Sequence, residues 1–106
     1  MNCAPRPRRR LSADTIRHEV EGSKGRYVLV RNGHEADLTY SILSPTQIIA
    51  DHTAVPDALR GTGAGAALVA RLVEDALVEG VKIVPLCPFV NRQRRDHPEW
   101  AEAFSV

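Results

Sequence analysis

Three groups of residues in this chain have the types and spacing to do chemistry. They are a run of alternating glycines at Gly61, Gly63 and Gly65, an imidazole at His52 and a thiol at Cys87. The glycines sit in Leu59-Arg60-Gly61-Thr62-Gly63-Ala64-Gly65-Ala66 and lead without a break into an apolar, helix-like segment. Removing side chains at such a turn lets successive backbone N–H groups point outward. The helix N-terminus that follows adds unpaired donors and partial positive charge. Together they form a site for phosphate or pyrophosphate, with Arg60 opening the turn and Gly61 to Ala66 supplying the amides.

Two common glycine-rich motifs are excluded. A P-loop needs GxxxxGK[S/T], and no lysine follows these glycines; a dinucleotide fingerprint needs GxGxxG, whereas the spacing here is GxGxG. His52, in Asp51-His52-Thr53, has the imidazole pKa of about 6.5 expected of a general base near neutral pH. The alternative is a half-buried histidine bonded to Thr53 or to backbone, and strand alternation would send Asp51 to the other face. Cys87 directly precedes Pro88, a residue suited to the first position of a helix. A thiol there could act as a nucleophile or an acid, or pack as a small apolar side chain. Arg92, Arg94 and Arg95 read either as phosphate ligands or as a solvated face. No metal site is read from the chain.

These residues need elements to position them. Ile16–Glu21 alternates weakly, as a short edge strand does, and Gly22-Ser23-Lys24-Gly25 is a turn cluster. Arg26–Arg31 is rich in strand formers, Asn32-Gly33 suits a type I′ hairpin, and Leu38, Tyr40 and Ile42 share one face of the returning strand. Gln47–Val55 is the next strand, so the first half reads as an antiparallel meander. From about Gly65 to Glu79, Leu68, Leu72 and Ala76 form one apolar row and Val69, Val73 and Leu77 a second, with Arg71, Glu74, Asp75 and Glu79 pointing away. Gly80 is placed as a C-cap. Lys82–Leu86 is then a strand parallel to the one before the helix. Pro88–Arg95 and Pro98–Phe104 are short helices. Pro85 marks either a sheet edge or a point where two strands part.

With 106 residues, 43% hydrophobic and 25% charged, the composition is that of one soluble globular domain. No apolar run approaches the ~20 residues of a membrane helix. The start lacks the apolar core of a secretory signal. Its arginines without acids share a feature with organelle transit peptides, but the stretch is short and holds two prolines. Net charge is +1, yet Arg6, Arg8, Arg9 and Arg10 lie in the first ten residues, leaving a slightly acidic remainder. The expected organisation is a disordered basic tail over 1–14 and a domain over 15–106. A basic tail on an acidic body argues against nucleic acid as the partner. Cys3 and Cys87 make no disulfide framework, and a reducing, cytoplasmic setting is expected.

Arg60-x-x-Gly63-x-Gly65, followed by Lys82-Ile83-Val84-Pro85-Leu86-Cys87-Pro88-Phe89-Val90 and His97-Pro98-Glu99-Trp100, resembles the small single-domain members of the GNAT superfamily of acyl-CoA-dependent N-acetyltransferases. The resemblance covers roughly Ile16 to Trp100. It implies a minimal GNAT-like fold of the α+β or α/β class: a mainly antiparallel sheet with one parallel β-α-β crossover and short C-terminal helices. It implies acetyl-CoA or CoA as cofactor, its pyrophosphate held by Arg60, Gly61, Thr62, Gly63, Ala64, Gly65 and Ala66. It implies Val55 near the acyl carbonyl, and Cys87, Pro88, Phe89 and Asn91 along the pantetheine arm, which in such folds passes between two parting strands. His52 and Cys87 are the candidate catalytic groups.

The chain departs from the family in two ways. Where the pattern continues with an alanine and then a tyrosine acid, this chain has Arg94 and Pro98. The two helices that usually separate the first two strands and build the acceptor site are replaced by Gly22-Ser23-Lys24-Gly25. The expected function is acetyl transfer to an unidentified amine, by a monomer or homodimer away from membranes. The alternative is a CoA- or acyl-CoA-binding module without turnover.

Overall fold

The structure, a computed structural model, describes residues 15–106. The basic tail and Cys3 lie outside the described residues. Five strands form one sheet in the order β1-β2-β3-β4-β5. β1 (Thr15–Glu21), β2 (Lys24–Arg31), β3 (His34–Ser44) and β4 (Gln47–Ala54) are an antiparallel meander. Asn32 and Gly33 join β2 to β3 with φ of 53° and 79°. Both lie in the left-handed region that a type I′ turn requires, which is why the hairpin closes with Arg31 opposite His34. α1 (Ala64–Glu79) then carries the chain over the sheet, and β5 (Lys82–Pro85) pairs in parallel with β4. α2 (Pro88–Asp96) and a 3₁₀ helix (Pro98–Ala103) complete the domain.

The core lies between α1 and one face of the sheet. Leu68, Val69, Leu72, Val73 and Ala76 are buried against Tyr27, Leu29, Ala36, Leu38, Tyr40, Ile48 and Ala50. Burying each Leu or Val contributes roughly 1.5–3 kcal/mol. Two expectations from the apolar rows need correction. Leu77 is 47% exposed, and Asp75 is turned inward to accept a hydrogen bond from the Tyr27 hydroxyl at 2.7 Å. A row spaced by four residues advances by about 40° per step around a helix with 3.6 residues per turn. By its third member, the row of Val69 and Val73 has turned off the buried face. α1 ends at Gly80, whose φ of 71° lets its N–H return to Ala76 O.

The register of β3 and β4 shifts between Ile42 and Ser44, near the hairpin turn, and again between Thr39 and Tyr40. Tyr40 pairs with Ala50 and Thr39 with His52, leaving Asp51 as an extra residue on β4. Two residues of β4 thus oppose one of β3, the pattern of a β-bulge. Beyond it, Thr53 pairs with the buried Leu38 and takes the inward position that uninterrupted alternation would assign to His52. Asp51 and His52 both face outward: Asp51 Oδ2 accepts from Ser41 Oγ at 2.6 Å, and His52 is exposed.

β5 is the last strand of the sheet, and its pairing with β4 stops at Ala50 and Pro85. Proline has no N–H to continue the ladder, and one more bond follows, from Cys87 N–H to Ala50 O at 2.9 Å. β4 runs on to Ala54 while the other chain turns into α2. Both readings of Pro85 therefore hold: the strand is at the edge, and it parts from its neighbour there.

Candidate functional site

The site is built where β4 leaves the sheet. After Val55 and Pro56 the chain makes a 3₁₀ turn over Asp57–Leu59, anchored by the buried Leu59 side chain. The turn is closed by bonds from Leu59 N–H to Pro56 O (2.9 Å), Arg60 N–H to Asp57 O (3.2 Å) and Thr62 N–H to Leu59 O (3.2 Å). Gly61 and Gly63 then adopt φ of 76° and 86°, which side-chain-bearing residues rarely tolerate. Gly63 is the N-cap of α1 and makes no side-chain cap; the first helical bond runs from Ala67 N–H to Gly63 O at 2.9 Å. The amides of Ala64, Gly65 and Ala66 therefore have no acceptor among the described residues. A thirteen-atom helical ring cannot satisfy them, and the positive end of the α1 dipole lies at the same point.

Arg31 completes this turn from outside it. At the end of β2, its Nη1 donates to Thr62 O at 3.0 Å, tying the glycine turn to the sheet. No local signal in the chain points to that contact, because the two residues are 31 positions apart. Arg60 pairs with Asp57 at 3.2 Å, but both are largely solvent-exposed, and such a pair contributes little.

A cleft of about 510 Å³ opens from the turn toward the end of β4. It brings together Val55, Arg60, Gly61, Gly63, Ala64, Gly65, Ala66 and Phe89 of the expected set, and adds Thr53, Leu59 and Gln93. Gly65 is needed for close approach. A Cβ there would lie 2.8 Å from Phe89 Cζ and 3.4 Å from Val55 Cγ2. Phe89 can thus lie against the first turn of α1, bringing α2 to the glycine turn.

Other expected residues fall elsewhere. Cys87 is buried at the N-cap of α2, with Pro88 in the first turn, and its Sγ is 3.5 Å from Thr53 Oγ1. His52 lies on the outer face, turned out by the Asp51 bulge, so the side chain presented inward from β4 is a hydroxyl and not an imidazole. Asn91 does not line the cleft; its Oδ1 accepts from Arg94 Nε at 2.9 Å. Arg92 and Arg95 are exposed. His97 stacks on Trp100 at 4.0 Å and pairs with Glu99 at 2.9 Å. The hydrogen bond from His97 holds the Glu99 carboxyl below its ordinary range. These last contacts finish the C-terminal turn.

A second cavity, of about 270 Å³, lies beside the C-terminal half of α1. His18 stacks on Tyr27 at 4.1 Å and its Nε2 is 2.6 Å from Tyr40 Oη. Tyr27 donates to Asp75, which also accepts from Arg71 Nε at 3.2 Å. Burial, then the Asp75 bond, pushes the Tyr27 hydroxyl far above its ordinary range, and burial lowers His18. The groups here satisfy one another, so the network reads as a polar seam between β1 and α1.

The model of the GCN5-related N-acetyl-transferase family matches residues 26–103. That span covers β2 through the last 3₁₀ helix, including the glycine turn and the cleft. A solution NMR structure of a GCN5-like protein of Staphylococcus aureus, itself proposed to be an N-acetyltransferase, is 26% identical with a TM-score of 0.63. The similarity covers 84% of this chain and 87% of that one. No curated protein matches. The five-stranded sheet, the parallel crossover over α1 and the family match give one conclusion: this chain belongs to the GCN5-related N-acetyltransferases, a family of acyltransferases.

Proposed function

We propose that this protein transfers an acetyl group from acetyl-CoA to an amine, with the CoA pyrophosphate held by the turn from Arg60 to Gly65. The observation that carries the reading is the set of unpaired amides at Ala64, Gly65 and Ala66, opening on a cleft that leads to the parted ends of β4 and β5. Backbone donors at a helix N-terminus suit a dianionic pyrophosphate better than flexible cations, because they are already oriented. Gly61 and Gly63 keep that surface free of side chains: nothing lies within 4 Å of where either Cβ would be. The expected cofactor set thus becomes Val55, Arg60 to Ala66, Cys87, Pro88 and Phe89, with Asn91 at its margin.

Acetyl-CoA supplies a thioester: the amine nitrogen bonds to its carbonyl carbon, the C–S bond breaks with its electron pair on sulfur, and the amine's proton leaves. The chain's part is to hold and orient. Val55, just past β4, offers its backbone to the acyl carbonyl, where a fixed donor lowers the barrier most. Thr53 lines the cleft with Cys87 buried behind it, and its hydroxyl is the group placed to pass a proton to the leaving sulfur, with the thiol next in line. His52, on the outer face, would serve only an amine arriving from that side.

A second reading is a CoA-binding module without turnover. It is favoured by the turn at Gly22 and Ser23, which leaves β1 and β2 joined with no helices between them, and by Pro98 standing where a tyrosine acid is expected. In either reading we propose a cytoplasmic protein, a monomer or homodimer, with neither membrane nor nucleic acid as partner. No helix among the described residues is long and apolar enough to cross a membrane. Calorimetric titration with acetyl-CoA and with CoA tests the shared claim. Micromolar binding supports it, and absence of binding to both removes it. Release of free thiol with a panel of amines then separates transferase from binding module.

A further inference from the structure

Among the described residues, one buried side-chain oxygen lacks a hydrogen-bond partner: Oε1 of Gln93. Buried acceptors are almost always paired in folded proteins, so each exception calls for a cause. Gln93 lies one helical turn beyond Phe89 on α2, and both side chains line the cleft. Asn91, two positions earlier, falls on a different side of the helix and already receives Arg94. No polar side chain of the cleft serves Gln93 Oε1: Thr53 Oγ1 is engaged with Cys87 Sγ, Arg60 Nε pairs with Asp57, and the remaining side chains are apolar or glycine.

The geometry points to Gln93 as the side chain that binds an amide of the acyl carrier's arm. This rests on the acetyl-CoA reading above. Between its phosphate and its sulfur the carrier has two secondary amides, each with one N–H and one C=O. A carboxamide on the wall of the cleft that also holds the glycine turn and Thr53 is complementary to either half of such a group. Gln93 is thus a positioning residue: it sets how far the arm enters, and with it where the thioester stops relative to Thr53 and Cys87.

The test compares the wild-type chain with Gln93→Leu and Gln93→Met, both of similar size and without polar atoms. Each is titrated with acetyl-CoA and melted without ligand. Affinity is expected to fall about tenfold in both variants, as for loss of one buried hydrogen bond. The unliganded melting temperature should hold or rise, because an unpaired acceptor has been removed. Affinity within about twofold of wild type in both variants would overturn the assignment. So would a melting temperature that falls together with affinity, since that marks a packing role. Failure of the wild type itself to bind acetyl-CoA is a separate outcome, and it removes the cofactor reading on which this assignment rests.

Discussion

Gly65 and Phe89 meet so closely that no side chain could stand between them: a Cβ on the glycine would fall 2.8 Å from the ring. This contact packs α2 against the first turn of α1, so the pyrophosphate turn and the far wall of the cleft are one unit. Gly63 differs, because its Cβ would meet nothing within 4 Å but its φ is 86°. The two glycines therefore predict different failures. Gly65→Ala should cost about 1–3 kcal/mol of stability, as overpacking does, read as a lower urea midpoint with weaker acetyl-CoA binding. Gly63→Val should cost about as much in backbone strain yet abolish binding, because its branched side chain occupies the approach of the phosphate. Unchanged affinity in Gly63→Val would sink the phosphate-turn reading.

Cys87 is buried beside Thr53, and its thiol touches no other described polar side chain. Cys87→Ala should cost about 1 kcal/mol in chemical denaturation and leave acetyl-CoA affinity within about twofold. A larger loss of binding would mean that the sulfur shapes the channel. A loss of turnover at intact affinity would assign it to the proton or acyl path.

The drift of the apolar rows on α1 gives a sharper test of packing. Leu72 is 1% exposed, whereas Leu77, five residues on, is 47% exposed. Leu72→Ala should lower stability by about 2–5 kcal/mol. Leu77→Ala should stay within about 0.5 kcal/mol of wild type. Equal costs would contradict the helix orientation described above.

His18 makes the fold sensitive to mild acid. Burial lowers its pKa below the ordinary 6.5; Asp75 opposes the shift and Arg71 adds to it. The unfolded chain then takes up a proton more readily than the folded one. This contribution to stability is full above about pH 6.5 and is lost as pH falls from there through the lowered folded value. Urea midpoints measured from about pH 7 down to about pH 5.5 should decline, and His18→Phe should flatten that decline while keeping the stack on Tyr27. Glu19 and Glu99, held low by Arg17 and His97, titrate below this window and do not confound it.

Much of the fold was legible along the chain because its determinants are local. Asn32-Gly33 dictates its hairpin by φ alone, Gly80 caps α1 by the same means, and the alternating glycines announce a turn before a helix. The family motifs then placed these pieces in order. What could not be read depends on pairing between distant segments. The grip of Arg31 on Thr62, the stack of His18 on Tyr27 and the orphaned oxygen of Gln93 arise only when separate elements meet. The outward turn of His52 has a similar cause. Simple alternation holds along β4 only to Asp51, and the register change is a property of the β3–β4 pair and not of either strand.

That register change lets the inner wall tolerate a change of chain length that simple alternation would not. Removing Asp51 would close the bulge and leave His52 opposite Thr39 and Thr53 opposite Leu38, so the hydroxyl would stay beside Cys87. Keeping Asp51 but pairing it with Thr39 would instead turn His52 inward and Thr53 outward. The proton carrier presented to the acyl group is thus set by where the strand stores its extra residue, and not by which residues the strand contains.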